Sequence, residues 1–529
     1  MKSPPPNRLN TRAAGIVAAA VMLSRVLGLA RELIFAGLFG AGWGMDAFLT
    51  AFRAPNLLRD LFAEGALSTA FVTVFSQRIA KESDQSAWQL ASKMMSLTTL
   101  FMTFLSLLGV LFAPELIALL APGFSTQKVV LTILLTRMMY PFILLVSLAA
   151  LVMGMLNAKN IFTAPALASS FFNLGSILGG VCFGWYLDPH FGERALSGLA
   201  LGTLLGGLLQ LLVQLPSLSK VGFRFSFDFQ WVDPGVKQVL LLMLPAVIAA
   251  SAVQINVMVN SIFASYLGDG AVSWLSYAFR LMQLPLGVFG VAIATVTLPL
   301  VSKIAALGDF IEFRATLSRA LRLAIFLTLP SAVGLMTLAY PIIALIYERG
   351  KFHASDTLQT SMALQCYALG LVSYSCIKVL SPAFYALNHR WTPMMASFFS
   401  IALNLFFNWI FIFKLHLGHR GLALSTALAA TANMSLLYIF MIRFVGSLHF
   451  HELISTVWRT LLATVPMVSL IIVALPWLAH FQEKAFTLKF LALLVTILVA
   501  LGLFVCSCML LHIEAVDDLF SMFKKRLKD

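Results

Sequence analysis

Arginine seldom stands inside a long apolar stretch, and this chain places several there. Arg25 and Arg31 lie in "MLSRVLGLARELIFAGLF", Arg53 and Arg59 in "AFRAPNLLRDLFAEGA" beside Asp60 and Glu64, and Arg280 in "SYAFRLMQLPLG". A guanidinium at the centre of a membrane helix costs roughly 2.5–3.5 kcal/mol on insertion scales. It stays charged and presents a planar fork that pairs bidentately with phosphate. A cavity with several arginines and few acids would select an anion, so the predicted ligand carries phosphate or pyrophosphate. The plainer alternative is that each arginine snorkels to an interface or pairs with a nearby acid. That alternative is strongest for Arg53 and Arg59, near a helix start. It is weaker for Arg25, Arg31 and Arg280, because a charge deep in a span usually faces a wet cavity.

Spacing groups these residues further. Ser24, Gly28 and Arg31 follow i, i+4, i+7 and share one helical face, while Arg25, Gly28 and Glu32 share an adjacent one. Gly28, between the two arginines, admits a bend or a close helix approach. Asn404 and Asn408 stand one turn apart. They either coordinate a monovalent cation with Ser425 or Thr426, or form an interhelical hydrogen-bonded pair. Gly198, Gly202 and Gly206 make a small-xxx-small ridge suited to close helix packing. Cys182, Cys366, Cys376, Cys506 and Cys508 sit in apolar runs without metal-ligand spacing, which argues against a disulfide framework or a zinc site. The phosphate-loop pattern G-x-x-x-x-G-K-[ST] does not occur, and no catalytic Ser/His/Asp or carboxylate pair stands out. The expected activity is therefore not enzymatic, and no cofactor is expected.

The elements that must carry these residues are membrane helices. Of 529 residues, 60% are hydrophobic and only 11% charged, where a soluble protein carries about 25% charged. Long apolar stretches recur from end to end, so the chain reads as an all-α polytopic membrane protein. About fourteen spans of roughly 20 residues are expected. They lie near 14–41, 56–77, 92–119, 127–156, 163–186, 196–216, 238–267, 271–301, 320–346, 358–387, 393–413, 420–444, 456–480 and 487–512. With the N-terminus inside, most loop Lys and Arg fall on one side, which predicts that both termini are cytoplasmic. The net charge of +14 is then largely topological and dispersed over short loops, and nucleic-acid binding is a poor explanation of it.

The chain also repeats itself. "LIFAGLFGAG" (33–42) matches "SIFASYLGDG" (261–270), "AFR" (51–53) matches "AFR" (278–280), and "SQRIA" (76–80) matches "SKIA" (302–305). "LNAKNIFTAPALASSFF" (156–172) resembles "LNHRWTPMMASFF" (387–399) in the same order. Two six-span halves entering the membrane in one sense make a parallel repeat, a design that places substrate between two rocking lobes. The expected organisation is a tail (1–13), a first lobe (14–220), a second lobe (235–445), an unrepeated pair of spans (452–512) and a basic tail (513–529). Spans 1, 2, 7 and 8 form the duplicated pair, so their charges are expected at the lobe interface. In the repeat, Arg25 and Arg31 align with Val253 and Val259, whereas Arg53 aligns with Arg280. The anion site would then be asymmetric on a symmetric scaffold.

Four segments resemble the MurJ/MviN family, within the multidrug/oligosaccharidyl-lipid/polysaccharide exporter superfamily. They are "SRVLGLARE" (24–32), "GAGWGMDAFLTAFRAPNLLRDLFAEGALSTAFV" (40–72), "SYAFRLMQLPLGVFGVAIATVTLPLVSK" (276–303) and "YERGKFHASDT" (347–357). The resemblance implies a fourteen-span flippase of lipid II, the undecaprenyl-pyrophosphate-linked peptidoglycan precursor, in the bacterial inner membrane. It implies a cationic cavity of Arg25, Arg31, Arg59 and Arg280. It also marks Asp46, in the "GMDAF" turn at the outer end of span 1, together with Glu32 and Glu64. By the same resemblance, spans 13 and 14 form a groove for the polyprenyl tail, and Asn404 and Asn408 lie where some members bind sodium. Sodium or the membrane potential would drive the cycle, and membrane lipids and cell-wall synthesis proteins would be partners. Two departures stand out. Phe279 and Gln283 occupy positions where many members carry acids around the span 8 arginine, and Asn408 offers an amide where a carboxylate is expected. The rival readings are an exporter of another polyprenyl-pyrophosphate oligosaccharide and a non-transporting scaffold for cell-wall enzymes.

Overall fold

The computed structural model describes residues 11–61, 67–481 and 484–513, and every regular element among them is helical. Two compact units meet in sequence between Gly270 and Ala271. The first holds α1 (Thr11–Phe39), α2 (Trp43–Leu58), α3 (Ser68–Lys81), α4 (Asp84–Leu111), α5 (Ala113–Leu120) and α6 (Thr126–Met139). It continues with α7 (Phe142–Ala158), α8 (Thr163–Leu187), α9 (Ala195–Leu212), α10 (Leu215–Lys220) and α11 (Pro234–Ser265). The second holds α12 (Ala271–Pro285), α13 (Ala292–Leu307), α14 (Phe310–Thr337), α15 (Ala339–Tyr347) and α16 (Ala354–Ala368). It ends with α17 (Leu371–Ala386), α18 (Trp391–Trp409), α19 (His419–Val445), α20 (Phe450–His480) and α21 (Phe486–Leu510).

Ten helical stretches among the described residues are long and apolar enough to cross a membrane, or eleven when the pair α16 and α17, bent by 44°, counts as one span. Apolar side chains such as Leu100, Phe104, Leu107 and Leu111 on α4 are exposed, as befits a face turned to lipid rather than water. The other expected spans fall on α1, which carries Arg25, Arg31 and Glu32 midway, on α2 with α3, and on α11.

Breaks inside spans have local causes. Pro285 ends α12, and a π-helical turn, Leu286–Val291, leads into α13. Polar side chains cap two of the long helices: Ser83 accepts the amide of Ser86 at α4, and Asp309 those of Ile311 and Glu312 at α14. The ridge of Gly198, Gly202 and Gly206 on α9 presses on α8 as its spacing suggested. A Cβ at Gly198 would lie 2.2 Å from the Gly184 nitrogen, and one at Gly202 2.3 Å from that of Gly180. These are backbone atoms that cannot give way without parting the helices.

In the first unit, Phe71, Phe75 and Leu90 centre a core joining α3, α4 and α7. α11, which the repeat counts in the second half, clusters with this unit and packs on α3, α4 and α5. In the second unit, Phe313, Leu380, Phe384 and Met441 form the main core. The unrepeated α20 and α21 pack on each other and on α14, where Phe326 and Phe504 meet at 5.8 Å. Cys376 and Cys508 are buried among these apolar groups, while Cys182 and Cys506 are exposed.

Candidate functional site

The first arginine pair sits on α1, which runs unbroken through Gly28. Its face of Ala20, Ser24 and Gly28 is turned to α8. Ser170 donates to the Ala20 carbonyl at 3.4 Å and Asn173 Nδ2 to the Ser24 carbonyl at 3.1 Å. A Cβ at Gly28 would meet the Asn173 amide at 3.5 Å, an ordinary contact. Further along this face, the Arg31 guanidinium lies 5.3 Å from the centroid of the Phe172 ring, a cation–π geometry. Phe172 is backed by Phe142 at 5.6 Å, and Phe142 by Phe52 at 5.8 Å. Arg31 is half-buried, as are Ser24 and Glu32, whereas Arg25 is exposed. The two arginines lie about 120° apart around the helix and have different surroundings.

The arginines of α2 and its continuation are engaged. Arg53 donates to Ser261 Oγ on α11. Arg59 grips the neighbouring Asp60 through Nε at 3.2 Å and Nη2 at 3.0 Å. Asp60 also accepts from Gln254 of α11 at 3.2 Å. The ion-pairing alternative raised for these two positions therefore applies directly to Arg59. Glu64 lies outside the described residues.

Asp46 differs in setting from the sequence expectation. The turn is Gly40–Gly42, with Gly40 at φ 71°, and Asp46 falls within the first turn of α2. It is fully buried there, accepting from Lys128 Nζ at 2.8 Å and from the Gly270 amide at 2.8 Å. Lys128, itself buried, reaches Asp269 at 3.1 Å and caps the Phe124 ring at 4.2 Å. Neither Lys128 nor Asp269 was singled out by sequence reasoning. The available signal was a lone lysine one residue after "STQ" at a helix start, where a cation opposes the helix dipole.

A second polar network holds the other end of α11. Asp233 caps that helix through the Gly235 amide at 2.7 Å and pairs with Arg78 of α3 and with Lys93 of α4 at 2.9 Å. Burial alone would raise the Asp233 carboxyl, but the hydrogen bonds from Lys93 and the Gly235 amide, and the charge of Arg78, outweigh it and hold the group below the usual carboxylate range. A depressed folded value stabilises the fold above the unfolded value and loses that contribution as pH falls through the folded one. The melting temperature of the chain should therefore exceed that of Asp233→Asn at neutral pH, and the gap should close only below about pH 4. Asparagine keeps the cap, so a gap independent of pH would refute the ionic contribution.

In the second unit, Arg280 is exposed on α12 and Phe279 packs edge-on against Tyr367 at 5.2 Å. Asn404 and Asn408 are buried between α18 and α19. Ser425 donates to Asn408 Oδ1, and Ser400 to the Ala429 carbonyl at 2.8 Å. At Asn408 the seam carries an interhelical hydrogen bond, one of the two arrangements weighed for this pair from the sequence. Its side chains offer neutral oxygens, a donor set for a monovalent rather than a divalent ion. No group of three or more His, Cys, Asp or Glu occurs in metal-holding geometry among the described residues.

The family model described as "Lipid II flippase MurJ" matches residues 35–497. The probable lipid II flippase MurJ of Buchnera aphidicola subsp. Acyrthosiphon pisum is 35% identical over 480 residues, spanning 90% of this chain and 92% of the relative. That of Vibrio cholerae is 38% identical over 436 residues, spanning 80% and 81%. The lipid II flippase MurJ of Burkholderia cenocepacia is 37% identical over 434 residues, spanning 81% and 83%. Among solved structures, a lipid II flippase MurJ in an inward closed conformation superposes with a TM-score of 0.75 at 29% identity, covering 94% of this chain and 99% of that one. An inward-facing multidrug resistance MATE family transporter of the MOP superfamily shares the fold, with a TM-score of 0.67 at 17% identity over 82% of this chain and 98% of that one.

Proposed function

We propose, from the premise that the chain belongs to the lipid II flippase MurJ family, that it flips lipid II from the cytoplasmic to the outer leaflet of the inner membrane. The observation that carries the substrate class is Arg31, a cation held on the Phe172 ring part-way along α1, a mostly apolar helix that also carries Arg25 and Glu32. A fixed guanidinium in that setting suits a pyrophosphate, which pairs with it bidentately.

In this reading Arg25, Arg31, Arg59 and Arg280 receive the pyrophosphate, and Arg53 and Asp46 hold the helices that carry it. Alternating access moves the head group, while the polyprenyl tail stays in the bilayer or along α20 and α21. Both termini face the cytoplasm. The membrane potential, worth about 2.3 kcal/mol per charge per 100 mV, or a sodium ion at Asn404 and Asn408, resets the cycle.

The test is transfer of labelled lipid II across proteoliposomes containing the full chain, with and without a sodium gradient or an imposed potential. Transfer above that of protein-free vesicles is expected. Intact insertion with lipid II left in its original leaflet would favour the scaffold reading, and equal transfer of an unrelated polyprenyl-pyrophosphate oligosaccharide would favour the broader exporter.

A further inference from the structure

The segment between α10 and α11 reads "GFRFSFDFQWVDP" (222–234), with an aromatic residue at every second position from 223 to 231. It forms no helix over residues 223–230. Phe223 is its buried end, packed on Trp88 of α4 at 5.3 Å. Beyond it, the segment meets α4 through polar groups. The backbone amide of Ser226 donates to Ser92 Oγ at 3.5 Å and that of Asp228 to Ser96 Oγ at 3.1 Å. Lys93 reaches the Gln230 side chain at 3.2 Å. The segment is thus tied by polar groups to α4, while Phe225, Phe227, Phe229, Trp231 and Val232 all point outward and are exposed, Phe227 by 76% and Trp231 by 74%. The outward rings lie against one another, Phe225 to Phe227 at 4.8 Å and Phe227 to Phe229 at 6.4 Å.

The polar contacts run inward to α4 while the rings turn outward and lie exposed, the reverse of a segment facing water. Its level along α4 says what the outward side meets. α4 has 28 residues and is about 42 Å long, some 12 Å more than a hydrocarbon core. Its Asp84, Gln85, Gln89 and Lys93 are all in the first ten residues, and no charged or amide side chain follows. The excess is therefore at that end. Ser92 and Ser96 lie about 12 and 18 Å from its start, where the helix enters the apolar layer. That is the depth at which aromatic rings partition best. Lys220, Arg224 and Lys237 are exposed on and beside the same segment, and such a basic cluster attracts anionic headgroups.

We propose that residues 223–232 form an aromatic strap inserted into the interfacial layer of the bilayer, with Lys220, Arg224 and Lys237 binding anionic phospholipid headgroups around it. The strap anchors the start of α11 to the lipid. This holds for the chain as a membrane-spanning protein and is independent of which lipid it carries.

The test compares the full chain with Trp231→Phe in vesicles, reading tryptophan fluorescence. The native chain should lose an extra fraction of emission to phospholipids brominated high on their acyl chains, a loss that Trp231→Phe removes. Quenching by aqueous iodide should be the same for both proteins. If the substitution instead lowers iodide quenching, the strap is in water; if it changes neither, protein covers it. Either result overturns the proposal. A second readout places a fluorophore at Phe227→Cys and, on the side turned to Lys93 of α4, at Asp228→Cys, after replacing the native cysteines. Brominated lipid should quench the first and spare the second, and the reverse order would also overturn it. Brominated phosphatidylglycerol should quench more than brominated phosphatidylcholine, and reversing Lys220, Arg224 and Lys237 to glutamate should lower that ratio at least about two-fold. A ratio near one in the native chain would overturn the headgroup assignment.

Discussion

Lys128→Ala should destabilise the first unit by about 3–5 kcal/mol, the range seen when one partner of a buried ion pair is removed. The lysine stands in the first turn of α6, where the helix dipole disfavours a cation, and it is buried. Asp46 and Asp269 offset both costs, at 2.8 and 3.1 Å. Asp46 is fully buried and Asp269 is mostly exposed, with 67% of its side chain accessible. The asymmetry sets the order of effects. Removing the lysine strands a buried carboxylate, whereas Asp269→Asn removes a solvated one and should cost about 0–1 kcal/mol. Thermal unfolding in detergent reads both changes.

The double variant Asp46→Asn with Lys128→Met separates charge from packing. Both charges leave together and similar volume is kept, so it should be more stable than Lys128→Ala. A Lys128→Ala protein that melts with the native chain would show that this pair contributes nothing. The same geometry bears on the supporting role proposed for Asp46. It holds together the starts of α2 and α6 and the Asp269–Gly270 segment after α11, contacts that in the proposed cycle make it a positioning residue rather than one that touches a head group.

These contacts explain why the architecture was legible in the sequence and the site only half so. Apolar length alone announces a membrane helix, and each stretch marked in the sequence carries helix among the described residues. The end of span 1 was legible at 41, and the chain turns at Gly40–Gly42. The restart of helix was not, because Gly44 and Asp46 read as turn residues, so α2 begins at Trp43, well before the residue expected. The arginines were legible because a charge is conspicuous among apolar neighbours. Their partners were not, since Arg53 meets Ser261 across 208 positions and Asp46 meets Lys128 across 82. Periodicity carries no information about pairings made by tertiary packing. Phe172 beneath Arg31 was hidden for a further reason: in a chain with 44 phenylalanines, one more has no distinguishing mark.

Arg31→Ala should lower the rate of lipid II transfer by at least about ten-fold, because a hydrogen bond to a charged group is worth roughly 1.5–3 kcal/mol. The protein should insert and melt close to the native chain, since the guanidinium is only half-buried. Arg31→Lys keeps the charge and loses the planar fork, so it should fall between the two. Phe172→Leu tests the platform. It keeps apolar volume and removes the ring face, a contribution of about 0.5–2 kcal/mol, and should slow transfer by less than Arg31→Ala. If the ring orients the guanidinium, combining Phe172→Leu with Arg31→Ala should be no worse than Arg31→Ala alone, because the platform then has nothing to hold. Additive losses would mean that Phe172 acts on transfer by another route. Arg25→Ala and Arg280→Ala should each slow transfer as well. Native rates from all three arginine variants, in vesicles with matched protein, would remove the guanidinium groups from the anion site and with them the pyrophosphate reading of α1.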